Sequence, residues 1–196
     1  MSILFGAATL HAQSGTVFMG DSITEGWLNF HPEFFDGQAR ICKGISGQVT
    51  AQMLERFQKD VIELKPSYVI ILAGTNDIAL NQGPYDPDAT YGNIIAMVQM
   101  AAENGITAIL SSVLPAARYP WRPEVTDGPK KISALNERLK AYATDHNLVY
   151  VDYFKEMVGD DGKTLIPEFS YDGVHPNLKG YEIMESVYFQ AVEPKR

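Results

Sequence analysis

The 196-residue chain has a single cysteine, Cys42, so it can form no intramolecular disulfide and offers no cysteine-based zinc site. Positive charge is also scarce. Sixteen Lys and Arg stand against 24 Asp and Glu, a formal net charge of -8, and no basic run occurs. Nucleic acid and anionic membrane surfaces are set aside as partners on this ground, because phosphate contacts need clustered cations. No apolar stretch approaches the roughly 20 residues of a membrane-spanning helix, so no membrane insertion is expected. Metal-ligand spacings such as His-Glu-x-x-His are missing, as are internal repeats and low-complexity linkers. With 45% hydrophobic and 20% charged residues, the composition fits a globular domain with a full core, and the length leaves no obvious room for a second.

What is present is an alternation of short apolar runs with longer helical patterns, the arrangement of parallel strands covered by helices on both faces. Strands are expected at Thr16 to Met19, Ala39 to Lys43, Tyr68 to Ala73, Thr107 to Val113 and Leu148 to Val151. The third run is apolar without alternation, as in a strand buried on both faces, and is placed in the middle of the sheet. Cys42, in the second run, is read as a buried, inert thiol. Apolar residues at helical spacing predict four helices. The stripes are Met53, Leu54, Phe57, Val61 and Leu64; Ile94, Ile95, Val98, Ala101 and Ala102; Ile132, Leu135, Leu139 and Tyr142; and Tyr181, Met184, Val187 and Tyr188. Pro66 ends the first, Asn104-Gly105 the second, and Asn177 is placed as N-cap of the last. The fold class is therefore α/β: a three-layer α/β/α, doubly wound, five-stranded parallel sheet, which binds ligands at the C-terminal ends of its strands.

Chemistry-bearing residues gather at those ends. Gly20-Asp21-Ser22 closes the first apolar run, and Asp172-Gly173-Val174-His175 lies near the C-terminus. A serine hydroxyl is a poor nucleophile unless an imidazole takes its proton, and the imidazole works best when a carboxylate fixes its tautomer. Between them, Gly44-Ile45-Ser46-Gly47-Gln48 and Gly74-Thr75-Asn76-Asp77 follow strand-like segments and offer hydrogen-bond donors in tight turns, as an oxyanion requires.

These four blocks, in this order and spacing, resemble the SGNH hydrolases, also called GDSL esterases and lipases, and the resemblance runs from Phe18 to Tyr181. Where the family has Gly-Asp-Ser-Leu this chain has Gly-Asp-Ser-Ile, an apolar exchange expected to leave the chemistry intact. The resemblance implies Ser22 as nucleophile, His175 as base and Asp172 as its orienting carboxylate. It implies an oxyanion hole of the Ser22 and Gly47 amides and the Asn76 side chain, with no cofactor and no metal. It also implies a flavodoxin-like strand order 2-1-3-4-5, whose switch point lies between strands one and three, where the loops carrying Ser22 and Asn76 emerge. The expected reaction is hydrolysis of a small-molecule ester. A short acyl group, such as an O-acetyl on a carbohydrate, is favoured because no sizeable insertion is available for a lid or long acyl tunnel. A thioesterase or lysophospholipase with the same triad is the alternative enzyme, and a non-catalytic carbohydrate-binding domain is the alternative of another class.

Each residue also has a plainer reading. Ser22 would serve as N-cap of a helix starting near Ile23. His11, His31 and His146 lack an Asp three residues earlier and are read as surface or helix-end residues. Asp77 is read as a turn former and Asp21 as a brace for the nucleophile loop. A metal site of Asp21, Asp77, Asp172 and His175 would leave Ser22 and Asn76 unexplained. Trp27, Arg118, Trp121, Arg122 and Tyr171, with Phe30 beside them, are taken as substrate-binding candidates because each is near a catalytic loop in sequence or follows the fourth strand; simple loop packing is the competing reading.

At the start, Ile3 to Leu10 is mostly apolar and precedes His11-Ala12-Gln13, a pattern like the tail of a secretory signal, although no Lys or Arg comes first and the run is short. Residues 1–13 are thus either a signal remnant or an N-terminal extension, and 14–196 the esterase domain. A periplasmic or secreted location is expected, with a cytoplasmic one as the alternative. The sequence does not speak to oligomeric state.

Overall fold

In the computed structural model, residues 13–36 and 39–192 are described. Of the expected signal remnant or extension, all but Gln13 lies outside the described residues. Strands β1 (Gln13–Gly20), β2 (Arg40–Gly44), β3 (Pro66–Leu72), β4 (Thr107–Ser111) and β5 (Tyr150–Val151) form one parallel sheet in the order β2-β1-β3-β4-β5. The strand order is the expected one, and β3 is central. β4 stops short of the expected Val113 because that residue leaves the ladder: its N–H and C=O bond the Asn136 side-chain amide at 2.8 and 3.0 Å.

Among the described residues seven α-helices accompany the sheet: α1 (Ser22–Phe30), α2 (Thr50–Asp60), α3 (Thr75–Ile78), α4 (Pro87–Glu103), α5 (Gly128–Asp145), α6 (Tyr153–Met157) and α7 (Leu178–Val192). Strand side chains alternate between two cores. Val17, Met19, Val69, Ile71, Ala108 and Leu110 face α2, α4 and α5, whereas Phe18, Ile70, Leu72 and Ile109 face α1, α6 and α7. Both faces are covered, so the strands read as unbroken apolar runs.

The second core is aromatic and fixes α1 against α7. Trp27 stacks on Phe34 and Tyr181 at centroid distances of 4.8 and 5.4 Å, and Phe18 meets the indole edge-on at 5.6 Å. Burial of a side chain this size contributes on the order of 2–3 kcal/mol. The polar tips of Trp27 and Tyr181 are paired as burial requires: the indole N–H donates to Glu185 Oε1 at 2.9 Å, and the Tyr181 hydroxyl donates to the Ile23 carbonyl at 2.8 Å. Glu185 also binds His31 Nδ1 at 2.7 Å, and this hydrogen bond raises the imidazole pKa. α1 can lie this close to the sheet because Gly44 has no Cβ; one placed there would sit 2.1 Å from the Glu25 backbone nitrogen.

Candidate active site

The first turn of α1 is set by Asp21, not by Ser22. The Asp21 carboxylate occupies the N-cap position and accepts the Ile23 N–H at 2.9 Å, which makes Ser22 the first helical residue and frees its hydroxyl from capping. Arg56 secures the strand ends below, its guanidinium donating to the carbonyls of Gly20 (3.0 Å) and Lys43 (2.9 Å). Cys42, half-buried on β2, donates its thiol to the Thr24 carbonyl, and burial raises its pKa, consistent with an inert thiol.

Ser22 Oγ lies 3.0 Å from His175 Nε2, across 153 positions of chain. On the far side of the ring, His175 Nδ1 is 2.6 Å from Asp172 Oδ2. A carboxylate only accepts, so the ring proton belongs on Nδ1, and Nε2 is left as an acceptor aimed at the serine. Asp172 Oδ1 accepts the backbone N–H groups of Val174 (2.9 Å) and His175 (2.7 Å). Burial raises the Asp172 pKa, but these bonds and the imidazole outweigh it and hold the carboxyl below its ordinary value. Ser170, which sequence reasoning passed over, closes the loop: its hydroxyl donates to the His175 carbonyl at 2.7 Å and accepts the Gly173 N–H at 2.8 Å.

Facing them, Asn76 in α3 is buried, and its amide nitrogen donates to the Gln48 carbonyl at 3.0 Å and to Asp21 Oδ2 at 3.3 Å. Its oxygen accepts from Asn81 Nδ2 at 2.7 Å, and Asn81 Oδ1 accepts the Trp121 indole N–H at 2.9 Å. Gly47 takes the left-handed conformation (φ 78°) at the tip of the neighbouring loop. Asp77 turns the other way, accepting the Thr50 N–H at 3.0 Å and hydroxyl at 2.6 Å, and so braces α3 against the start of α2. With the Asp21 and Asp77 carboxylates committed in this way, the described residues contain no His, Cys, Asp or Glu cluster placed to hold a metal ion.

An open cleft of about 360 Å³ joins these groups, lined by Ser22, Gly47, Asn76, Asn81 and His175 and walled by Trp121, Tyr171 and Phe30. The Tyr171 ring, 61% exposed, lies nearly parallel to the His175 imidazole with centroids 5.7 Å apart, and Trp121 flanks the same ring at 5.6 Å. Of the substrate-binding candidates, Trp121, Tyr171 and Phe30 therefore reach the cleft. Trp27 does not: it is buried under α1 with its N–H on Glu185. Arg118 and Arg122 are absent from the lining as well; Arg118 is exposed, and Arg122 pairs with Glu124 at 3.8 Å. Sequence reasoning missed Glu25, Gly26, Asn29, Ser46 and Asn81, all of which line the cleft. The helical members had a readable signal, since Ser22, Glu25, Gly26, Asn29 and Phe30 follow the i, i+3, i+4, i+7, i+8 spacing of one face. Trp27, at i+5, falls on the opposite side.

Asp21 carries the site's electrostatic strain. Fully buried, its carboxyl is pushed up to about 6 by desolvation, with the Ile23 N–H and His175 pulling it back and Asp77 adding to the rise. A carboxyl whose folded pKa exceeds its unfolded one binds more protons when folded, so this group's contribution to stability falls as pH rises from about 4 to 6. Chemical denaturation from pH 4 to 7 is expected to show wild type losing up to roughly 3 kcal/mol relative to Asp21→Asn over that interval. A constant difference between the two would contradict this assignment.

The sheet order, the cleft at the ends of β1 and β3, and the Ser22–His175–Asp172 chain define the class of an α/β/α hydrolase. The profile of the GDSL-like Lipase/Acylhydrolase family matches residues 18–183, and the chain belongs to that family. It is a hydrolase acting on ester bonds. Its fold superposes on a GDSL-like lipase from Bacteroides thetaiotaomicron with a TM-score of 0.91 and 49% identity, covering 95% of this chain and 91% of that one. Lipoprotein YqeF of Bacillus subtilis is 32% identical over 116 residues, 50% of this chain and 48% of YqeF, so the match spans about half of that relative. Esterase TesA of Pseudomonas aeruginosa is 26% identical, covering 87% of this chain and 80% of TesA. An acetylxylan esterase of Geobacillus stearothermophilus is 24% identical, covering 76% and 70%. No helix among the described residues is long and apolar enough to cross a membrane.

Proposed function

We propose that the chain, with residues 14–196 as its esterase domain, hydrolyses short acyl esters, O-acetyl groups on carbohydrates in particular, through Ser22, His175 and Asp172. The carrying observation is the 3.0 Å contact of Ser22 Oγ with His175 Nε2, backed at 2.6 Å by Asp172, within a solvent-open cleft. Ser22 Oγ attacks the ester carbonyl while its proton passes to Nε2; Asp172 steadies the imidazolium. The tetrahedral oxyanion is held by the Ser22 and Gly47 backbone N–H groups and the Asn76 side-chain amide, with the helix N-terminus adding favourable potential. Of the two Asn76 amide bonds, the longer one to Asp21 is the one the oxyanion competes for. His175 gives its proton to the departing alcohol. It then takes one from water, whose oxygen attacks the acyl-serine to release the acid and restore Ser22.

Three features support a small acyl group on a polar alcohol. The cleft is open and of modest volume, its polar lining includes Glu25, Asn29, Ser46 and Asn81, and its exposed aromatics offer flat faces to a sugar ring. Likeness to an acetylxylan esterase supports the same class, and likeness to a lipoprotein supports a periplasmic or secreted location. The mechanism needs no metal or cofactor. Initial rates on p-nitrophenyl esters from acetate to decanoate test it: the highest rate is expected for acetate, falling steadily beyond butyrate. A maximum at the long end would replace this reading with a lysophospholipase or thioesterase, and saccharide binding without turnover would replace it with a binding domain.

A further inference from the structure

The Trp121–Asn81–Asn76 chain has a direction, and the direction matters for the oxyanion. A side-chain amide has two nearly isosteric ends, one donating and one accepting, so Asn76 stabilises an oxyanion only if its nitrogen faces the cleft. Turned over, it would present a carbonyl oxygen to a developing negative charge. The indole N–H at the outer end of the chain is donor only. Donating to Asn81 at 2.9 Å, it can meet only the amide oxygen, which places Asn81 Nδ2 against Asn76 at 2.7 Å. Asn76 must answer with its oxygen, and its nitrogen is then directed to the Gln48 carbonyl and to Asp21 Oδ2, the longer bond being the one the oxyanion would displace. The Gln48 carbonyl, an acceptor only, demands the same polarity from the inner end.

We infer that Asn81 and Trp121 are positioning residues which lock the donor end of Asn76 toward the substrate carbonyl, so that an exposed wall of the cleft is coupled to the oxyanion hole. The inference rests on the serine-esterase reading above. It also gives Trp121 two tasks, since the same ring lines the cleft beside His175. A substrate group pressing on the indole acts on the hydrogen-bond chain that orients Asn76, through the Trp121–Asn81 bond that spans 40 positions of sequence.

The test reverses the polarity instead of merely deleting a contact. In Asn81→Asp the introduced carboxylate still accepts the indole N–H but can no longer donate to Asn76 Oδ1, and it draws the Asn76 nitrogen away from the cleft. Expected is a fall in kcat on p-nitrophenyl acetate of about a hundredfold, the size of one lost oxyanion donor, against about tenfold for Asn81→Ala, with KM changing little in both. Phenylboronic acid gives a readout that a general loosening of the fold would not reproduce. Its boron accepts the Ser22 oxygen while the serine proton passes to His175, forming an anionic tetrahedral adduct, so its inhibition constant should rise in parallel with the loss in kcat.

Trp121→Phe keeps an aromatic ring, though a smaller one, and removes the N–H at an exposed position, which serves if the Asn81 variants do not accumulate. It should weaken boronate binding in the wild-type background and have no further effect in Asn81→Ala, because the two residues act through one chain. Equal losses in Asn81→Asp and Asn81→Ala, or unchanged boronate affinity in Trp121→Phe, would overturn the relay. The two readings fail differently. A Ser22→Ala enzyme with wild-type rate removes the serine mechanism and the relay with it, whereas serine-dependent hydrolysis indifferent to these substitutions removes the relay alone.

Discussion

Ser22→Ala is expected to lower kcat on p-nitrophenyl acetate by roughly four to six orders of magnitude, with KM within a few-fold of wild type. Among the described residues, the hydroxyl is the only cleft oxygen placed against an imidazole nitrogen. Ser46, the cleft's other serine, donates to the Glu25 carboxylate instead and has no imidazole beside it. A small residual rate above water should persist, because the oxyanion donors and the cleft remain. Folding should survive, since the helix start is capped by Asp21 and alanine suits a first-turn position. Mass spectrometry after treatment with a fluorophosphonate offers an independent check: one adduct on the Ser22 peptide in wild type and none in the variant. Hydrolysis at an undiminished rate in Ser22→Ala would end the serine mechanism.

Asp172→Asn should cost nearly as much, about four orders of magnitude in kcat at neutral pH, for a different reason. The new side-chain oxygen can still accept the Val174 and His175 backbone N–H groups, so the loop keeps its shape. Its NH2 group, however, meets His175 Nδ1 where a carboxylate oxygen stood at 2.6 Å. The imidazole responds by carrying its proton on Nε2, where it can no longer take one from Ser22. Replacement by alanine removes the two backbone bonds as well, so Asp172→Ala should add a drop in thermal stability that Asp172→Asn lacks. Comparing kcat and melting temperature for the pair separates tautomer control from loop construction. Similar melting temperatures in both variants would deny the carboxylate its structural part.

The sequence carried more of the backbone plan than of the cleft. Strands buried on both faces announce themselves as apolar runs, and β3 was readable as the centre for this reason. Strand order and the roles proposed for Ser22, Gly47, Asn76, Asp172 and His175 came through the resemblance carried by the four motif blocks, which lie at loop positions with fixed backbone demands. The substrate wall was less legible because nearness in sequence says little about which way a side chain points. Trp27 is close to Ser22 along the chain, yet five helical residues carry it to the core face, where it stacks with Phe34 and Tyr181. Counting along the helix would have found Glu25, Gly26 and Asn29 and set Trp27 aside. Arg118 and Arg122 show the same limit in a loop, where no periodicity guides the reading. The bond from Trp121 to Asn81 spans 40 positions between two irregular segments and has no local signature at all.

The proposed nucleophile and its proposed base are supplied from opposite ends of the described chain and held together by α1 and α7, through Tyr181 on the Ile23 carbonyl and Trp27 on Glu185. A polypeptide emerging from the ribosome therefore carries an unactivated serine while the 153 positions from Ser22 to His175 are being made. Only when the segment bearing Asp172 and His175 has appeared and α7 has docked across the sheet does the hydroxyl acquire its base. On the proposed mechanism, turnover is thus a property of the finished tertiary structure, and partial translation products are chemically silent.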